Sequence, residues 1–256
     1  MYLKTPEPIK VNLIILTTFI LSFAISAEKA YYGNWPVSKN KFTILNESNT
    51  NKLDCPNGMG CSCLDDNECI NNFCNKDLRG NRYCGLKEGD TFPQFKAVDQ
   101  YNEIVDLYDF ANTEGKYILI EMGTVWCSPC NSLAAWLAWD EETIKSKPFW
   151  KDEYNVIKEL INNKDVYFIT ILYEDEFRDN ASYDTAYEWH DTYPNDLIPI
   201  LVDEDKLLHS IIRPTGIPAI TLLSPEMQII QLSTRGLNPS FDKLLSILEK
   251  KDKVNN

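Results

Sequence analysis

From residue 86 onward, apolar residues fall in short blocks separated by polar turns. The blocks at 117–122 and 165–173 are rich in β-branched and aromatic residues and read as buried central strands, the first interrupted only by Glu121. Shorter extended pieces are predicted at 95–98, 103–107, 197–203 and 219–224, with an edge strand at 228–232. Helical stretches are predicted at 129–145, 149–163 and 180–192, with a helical turn at 107–111 and an amphipathic closing helix at 241–250. Strands alternating with helices predict an α/β fold, a central sheet flanked by helices. The last two strands, separated by Pro225 and Glu226, predict an antiparallel hairpin. Trp136 and Trp139 stand at helical spacing with Leu133 and Leu137 and are expected in the core. The extra stretch at 140–163 predicts either added core or a partner-specific cleft.

The first third of the chain breaks this pattern. Residues 11–27 are nearly all apolar or small, follow Lys4 and Lys10, and end in Ala24, Ile25, Ser26 and Ala27. Residues 1–27 therefore read as a signal peptide, with cleavage after Ala24, Ser26 or Ala27 left open; an uncleaved anchor is the alternative. No cysteine stands directly after the apolar run, which argues against a lipoprotein anchor. Residues 28–54 carry many Asn, Lys, Ser and Thr, with the aromatic patch Tyr31, Tyr32 and Trp35, and read as a polar linker or tether. Asn46-Glu-Ser48 and Asn180-Ala-Ser182 match the glycosylation sequon.

Six of the eight cysteines lie between Cys55 and Cys84, at Cys55, Cys61, Cys63, Cys69, Cys74 and Cys84, among polar residues with almost no aliphatics. Such a segment cannot build a core. About three disulfides are expected to hold a module at 55–85, in any of 15 pairings. That cysteine usage fits an oxidising compartment and predicts an exported protein, periplasmic or extracellular. The module reads either as a stalk or as a small interaction module with a partner of its own. Asp65, Asp66, Asn67 and Glu68 lack the spacing of a calcium loop and are read as a solvated face. Residues 86–256 form the second domain. A net charge of −13, from 38 acidic against 25 basic residues, repels nucleic acid, and no nucleic-acid partner is expected.

The candidate chemistry follows the first central strand. Gly123 frees the backbone to turn, and Trp126, Cys127, Ser128, Pro129 and Cys130 open the next apolar stretch. Two thiols at i and i+3 stand one above the other on a first helical turn, a geometry that permits a reversible disulfide. Unpaired N–H groups and the dipole at a helix start favour the Cys127 thiolate, which becomes the nucleophile. Pro129 lacks an N–H that the first turn leaves unpaired anyway, and its fixed φ stiffens the turn; Cys130 is the resolving thiol. A zinc site needs four ligands, and His190 and His209 form no second short-spaced pair with a cysteine, so no metal is expected and neither histidine is given a role. Farther on, Pro218 follows Gly216 and Ile217 at a strand start, a place for a cis peptide. The backbone of Ile217 would then face a cleft and pair with an extended substrate segment.

The Trp-Cys-Ser-Pro-Cys motif with the later Gly-Ile-Pro resembles the thioredoxin superfamily, and residues 90–250 resemble most its exported redoxin or TlpA-like branch. The resemblance implies a thioredoxin-like fold behind the disulfide-rich module. It implies Cys127 as attacking thiol, Cys130 as resolving thiol and Pro218 as the cis-proline facing them. Glu121, six residues before Cys127, matches the family's buried acid, where an Asp is usual. Burial would raise its pKa and let it take the Cys130 proton; an ordinary exposed strand acid is the alternative. Trp126 is implied to cover the disulfide, with Ile217 and Pro129 at the substrate side. The implied activity is thiol–disulfide exchange with protein substrates, without a cofactor. Pro129 and Ile217 resemble reducing members, which would draw on a membrane electron donor. Two other readings remain: a thiol peroxidase, from Thr124-x-x-Cys127 with Ile120 where that family has a proline, and an exported binding protein whose 127/130 disulfide is structural.

Overall fold

The apolar run at 117–123 forms the middle of the structure because neither of its faces meets water, as suits a central strand paired on both edges. The structure is a computed structural model that describes residues 30–37 and 53–255. The signal-peptide reading, residues 38–52 of the linker and the sequon at Asn46 lie outside the described residues.

Two small antiparallel hairpins come first, β1 (Cys74–Lys76) with β2 (Arg82–Cys84) and β3 (Lys96–Val98) with β4 (Ile104–Asp106). Then follow β5 (Tyr117–Gly123), α1 (Ser128–Trp139), α2 (Asn155–Asn162), β6 (Val166–Leu172), α3 (Tyr183–Thr192) and β7 (Ile200–Val202). The chain closes with α4 (Leu207–Ile212), β8 (Ala219–Leu223), β9 (Ile229–Gln231) and α5 (Asn238–Asn255). The main sheet runs β7-β6-β5-β8-β9, with β5, β6 and β7 parallel, β8 antiparallel to β5, and β9 antiparallel to β8. The predicted α/β architecture is the observed one, and the predicted terminal hairpin is present. Among the described residues no helix is long and apolar enough to cross a membrane.

Period-2 alternation divides β5 between two cores. Ile118, Ile120 and Met122 face one, with Phe92, Phe110 and Leu223; Leu119 faces the other, with Cys130, Leu133 and Trp136. Glu121 shares the face of Leu119, so the register sends it toward α1.

Several expectations need correction. The helix expected at 129–145 stops at Trp139, because Asp140 takes a left-handed conformation (φ 61°) that ends it. Trp139 is consequently exposed rather than core. The stretch 140–163 is chiefly added core. Ile144, Trp150, Tyr154 and Ile157 are buried, and a chain of edge-on rings runs Trp136–Trp150–Tyr154–Phe241, centroids 4.8, 5.6 and 5.2 Å apart. Residues 30–37 are no tether: Tyr31 and Trp35 are buried, and the Trp35 indole donates to Asp99 at 2.8 Å.

The six-cysteine module is closed by disulfides Cys55–Cys61, Cys63–Cys74 and Cys69–Cys84. Its own buried cluster is little more than Cys63, Cys69 and Cys84. It does not stand away as a stalk. Arg213, from the segment after α4, lies 3.9 Å over the Tyr83 ring and donates to Asp77 (2.9 Å) and to the Gly60 carbonyl (3.3 Å). Asn71 donates to Asp90 at 2.6 Å. The acidic run is exposed as expected, but it also works locally: Asp65 accepts from the Asn67 N–H, Asp66 from the Cys74 N–H and Glu68 from the Leu64 N–H.

Candidate active site

Cys127 sits at the N-cap of α1, where its sulfur accepts the Cys130 N–H at 3.2 Å, and Pro129 occupies the first turn. The two cysteines are bonded to each other, with Cα atoms 5.3 Å apart. Cys130 is fully enclosed and Cys127 nearly so, while Trp126 and Ser128 on either side of Cys127 are exposed. An approaching sulfur therefore meets Cys127 first.

Glu121 lies beneath this pair. It is buried, accepts one hydrogen bond from the Thr170 hydroxyl at 3.0 Å, and its Oε1 has no partner among the described residues. Burial pushes its carboxyl up to about 7, against the smaller lowering effect of the Thr170 bond. The reading of Glu121 as an ordinary exposed acid fails here. Gly123 lies beside both acid and sulfur. A side-chain carbon there would sit 3.4 Å from Cys130 Sγ and 3.6 Å from Glu121 Oε1, so both atoms border the space that the glycine leaves open.

The Ile217–Pro218 peptide is cis, as expected from its place before a strand. The β5–β8 ladder pairs Met122 with Ala219, so one step farther along it Pro218 comes opposite Gly123, at the end of β5 that leads to Cys127. The Pro218 carbonyl is taken by the Gly236 N–H at 2.7 Å, whereas the N–H and C=O of Ile217 have no partner among the described residues. Ile217 is half-buried against the core that holds both cysteines.

Four side chains that sequence reasoning missed hold this turn. Asn131 donates to the carbonyls of Val125 (2.9 Å) and Cys127 (3.0 Å) and accepts from the Tyr193 hydroxyl (3.1 Å), which pins the segment between β5 and α1. A polar residue one turn after Cys127 on the same helix face is the signal that marks it. Trp126 is bracketed by Glu174, which accepts its indole N–H at 2.9 Å, and by Arg178, whose guanidinium lies 4.0 Å from the ring centroid. Burial works against ionisation of Glu174, yet hydrogen bonds from Lys206 and Trp126 hold its carboxyl below the usual range. Thr124 is buried before Cys127, and its hydroxyl has no partner among the described residues. His209 stacks on Tyr173 and His190 lies against Tyr101; neither reaches the disulfide pair by any contact described.

A disulfide at a helix start, a cis-proline opposite the end of the central strand and a mixed sheet with this strand order define a thioredoxin-like arrangement. No protein-family model matches the chain, and no curated protein matches it. Among solved structures, the chain is similar to the thioredoxin domain of a thiol-disulfide oxidoreductase from Bacteroides vulgatus, with 20% identity over 65% of this chain and 98% of that one and a TM-score of 0.43. It is also similar to the exposed lipoprotein thioredoxin Etrx1 of Streptococcus pneumoniae, with 19% identity over 61% of this chain and 98% of that one and a TM-score of 0.42. A thiol:disulfide interchange protein from Bacteroides sp. matches at 21% identity over 64% of this chain and 90% of that one, TM-score 0.42.

Proposed function

We propose that the chain is an exported thiol–disulfide oxidoreductase that reduces protein disulfides. The observation that carries this reading is the Cys127–Cys130 bond at the start of α1, with a buried carboxyl, its pKa raised to about 7, facing Cys130 across the space beside Gly123. In the reduced enzyme the Cys127 thiolate attacks one sulfur of a substrate disulfide. A mixed disulfide forms and the other substrate sulfur leaves as a thiolate. Cys130 gives its proton to the Glu121 carboxylate and attacks Cys127 Sγ, which releases the second substrate thiolate and leaves the 127/130 pair oxidised. The electron pair is restored by a dithiol donor, for which a membrane thiol carrier is the natural class outside the cytoplasm.

Trp126 shields the disulfide from one side. The free backbone groups of Ile217 supply a strand edge for the substrate segment, and Pro129 keeps the first turn of α1 stiff. The reduction potential of the 127/130 pair, read by equilibration with dithiothreitol and thiol trapping, tests the proposal. A value near the roughly −270 mV of thioredoxin supports a reductase, and one near the roughly −120 mV of strong oxidants overturns the direction. A pair that reduces only on unfolding overturns the enzyme altogether.

A further inference from the structure

Beside the disulfide, a groove opens along the outer face of α1. Its main cavity, about 510 Å³, begins at Trp126 and Ser128, on either side of Cys127, and runs to the exposed Trp139. A second cavity of about 220 Å³ continues it toward α3, and the two share Val125, Asn131, Thr192 and Tyr193. The size is that of a site for several side chains. Trp126, Trp139 and Tyr193 give the groove aromatic walls, and its charged lining is of one sign: Glu141 in the first cavity, Glu176 and Glu188 in the second. No lysine or arginine lines either cavity, and none of the three glutamates is in an ion pair among the described residues. At the Cys127 end, the guanidinium of Arg178 lies over the Trp126 ring.

We infer that this groove is a substrate-docking surface of the enzyme in addition to the Ile217 edge, and that it selects polypeptide segments carrying arginine or lysine next to the cysteine that is attacked. The inference deepens the proposed function and rests on it. A long cationic side chain satisfies both parts of the lining: its stem and charge lie over aromatic faces, and its head reaches a carboxylate. An acidic segment is repelled by the three glutamates, and a purely apolar one leaves them without a counter-charge. The groove adjoins Cys127, so a segment held there presents its cysteine to the attacking sulfur.

The test measures kcat/KM of the reduced full-length chain with three substrates at low ionic strength. Two are disulfide-linked peptides of equal length, one with arginine flanking its cysteine and one with glutamate there; the third is the small neutral hydroxyethyl disulfide. The arginine peptide is expected to react about 10-fold or more faster than the glutamate peptide. The ratio should shrink severalfold in 0.5 M salt, where screening shortens the reach of charge. In the triple variant E141Q/E176Q/E188Q it should fall toward one. Equal rates for both peptides, with hydroxyethyl disulfide still turned over, overturn the groove and leave the exchange chemistry standing. No turnover of hydroxyethyl disulfide overturns the enzyme reading itself. A ratio that survives the triple variant overturns the assignment to these glutamates.

Discussion

Between Cys55 and Cys84, three disulfides hold a segment whose own buried cluster is little more than the cysteines themselves. Around Cys127 and Cys130 the proportions are reversed: one disulfide is set into a core of Leu119, Leu133, Trp136 and Phe241 that packs without its help. In the module, a crosslink replaces the apolar area that the sequence lacks. In the domain, the core is already closed, and the bond is left for the proposed exchange. What marks the second kind is its surroundings, a helix start, a buried carboxyl and a glycine that leaves space between acid and sulfur.

The sharpest break of this comparison exchanges the two roles. Cys127→Ser should abolish disulfide exchange, by roughly 10³-fold or more, while the far-ultraviolet circular dichroism is retained. The paired change C69A/C84A should instead act on stability. Opening the Cys69–Cys84 link, which spans 15 residues, should cost about 3 kcal/mol of module stability, read as early proteolysis within 55–85. If C127S/C130S unfolds the domain as readily as C69A/C84A loosens the module, the distinction fails.

Glu121 sharpens it next. Its carboxyl is raised from 4.5 to about 7 in the folded protein, so the native state holds a proton that the unfolded chain releases between those values. Stability from this group is present below pH 4.5 and is lost as pH rises through about 7, a change on the order of 3 kcal/mol. Glu121→Gln should flatten that slope in denaturant titrations at pH 4.5 and 8. It should also slow resolution of the mixed disulfide by roughly 10- to 100-fold, seen as accumulation of the trapped intermediate. The smallest effect is expected for Gly123→Ala. The added methyl is in ordinary contact distance of Cys130 Sγ and Glu121 Oε1, so the fold should persist. Filling the space between acid and thiol should slow the same step by about 3- to 10-fold.

Much of this was legible in the sequence for physical reasons. Two strands apolar on both faces can only be central, and a C-x-x-C pair after a strand and a glycine can only open a helix within reach of its own second sulfur. Alternation along β5 also contained the placement of Glu121, since a residue two positions from Leu119 shares its face. What stayed hidden depends on contacts distant in sequence. Nothing near Trp126 announces Glu174 or Arg178, and Asn131 becomes a staple only when Tyr193 arrives from α3. Trp139 matched the helical core pattern, yet Asp140 ends the helix one residue later and leaves it outside. The six-residue α4 is too short for a periodicity, and Tyr31 and Trp35 sit in a polar composition that says nothing of the core they enter.

One contact links the two regions. Arg213 is gripped by Tyr83, Asp77 and Gly60 of the module, and a few residues later the Thr215 and Gly216 N–H groups are fastened to the Thr234 carbonyl, just ahead of Pro218. The segment entering the cis-proline is thus moored at both ends, and one mooring is built on cystines. The strand edge that the proposed exchange would offer a substrate is therefore positioned partly by the module, whose own shape rests on three cystines. A chain proposed to spend electrons on others owes one corner of its shape to bonds formed by their removal.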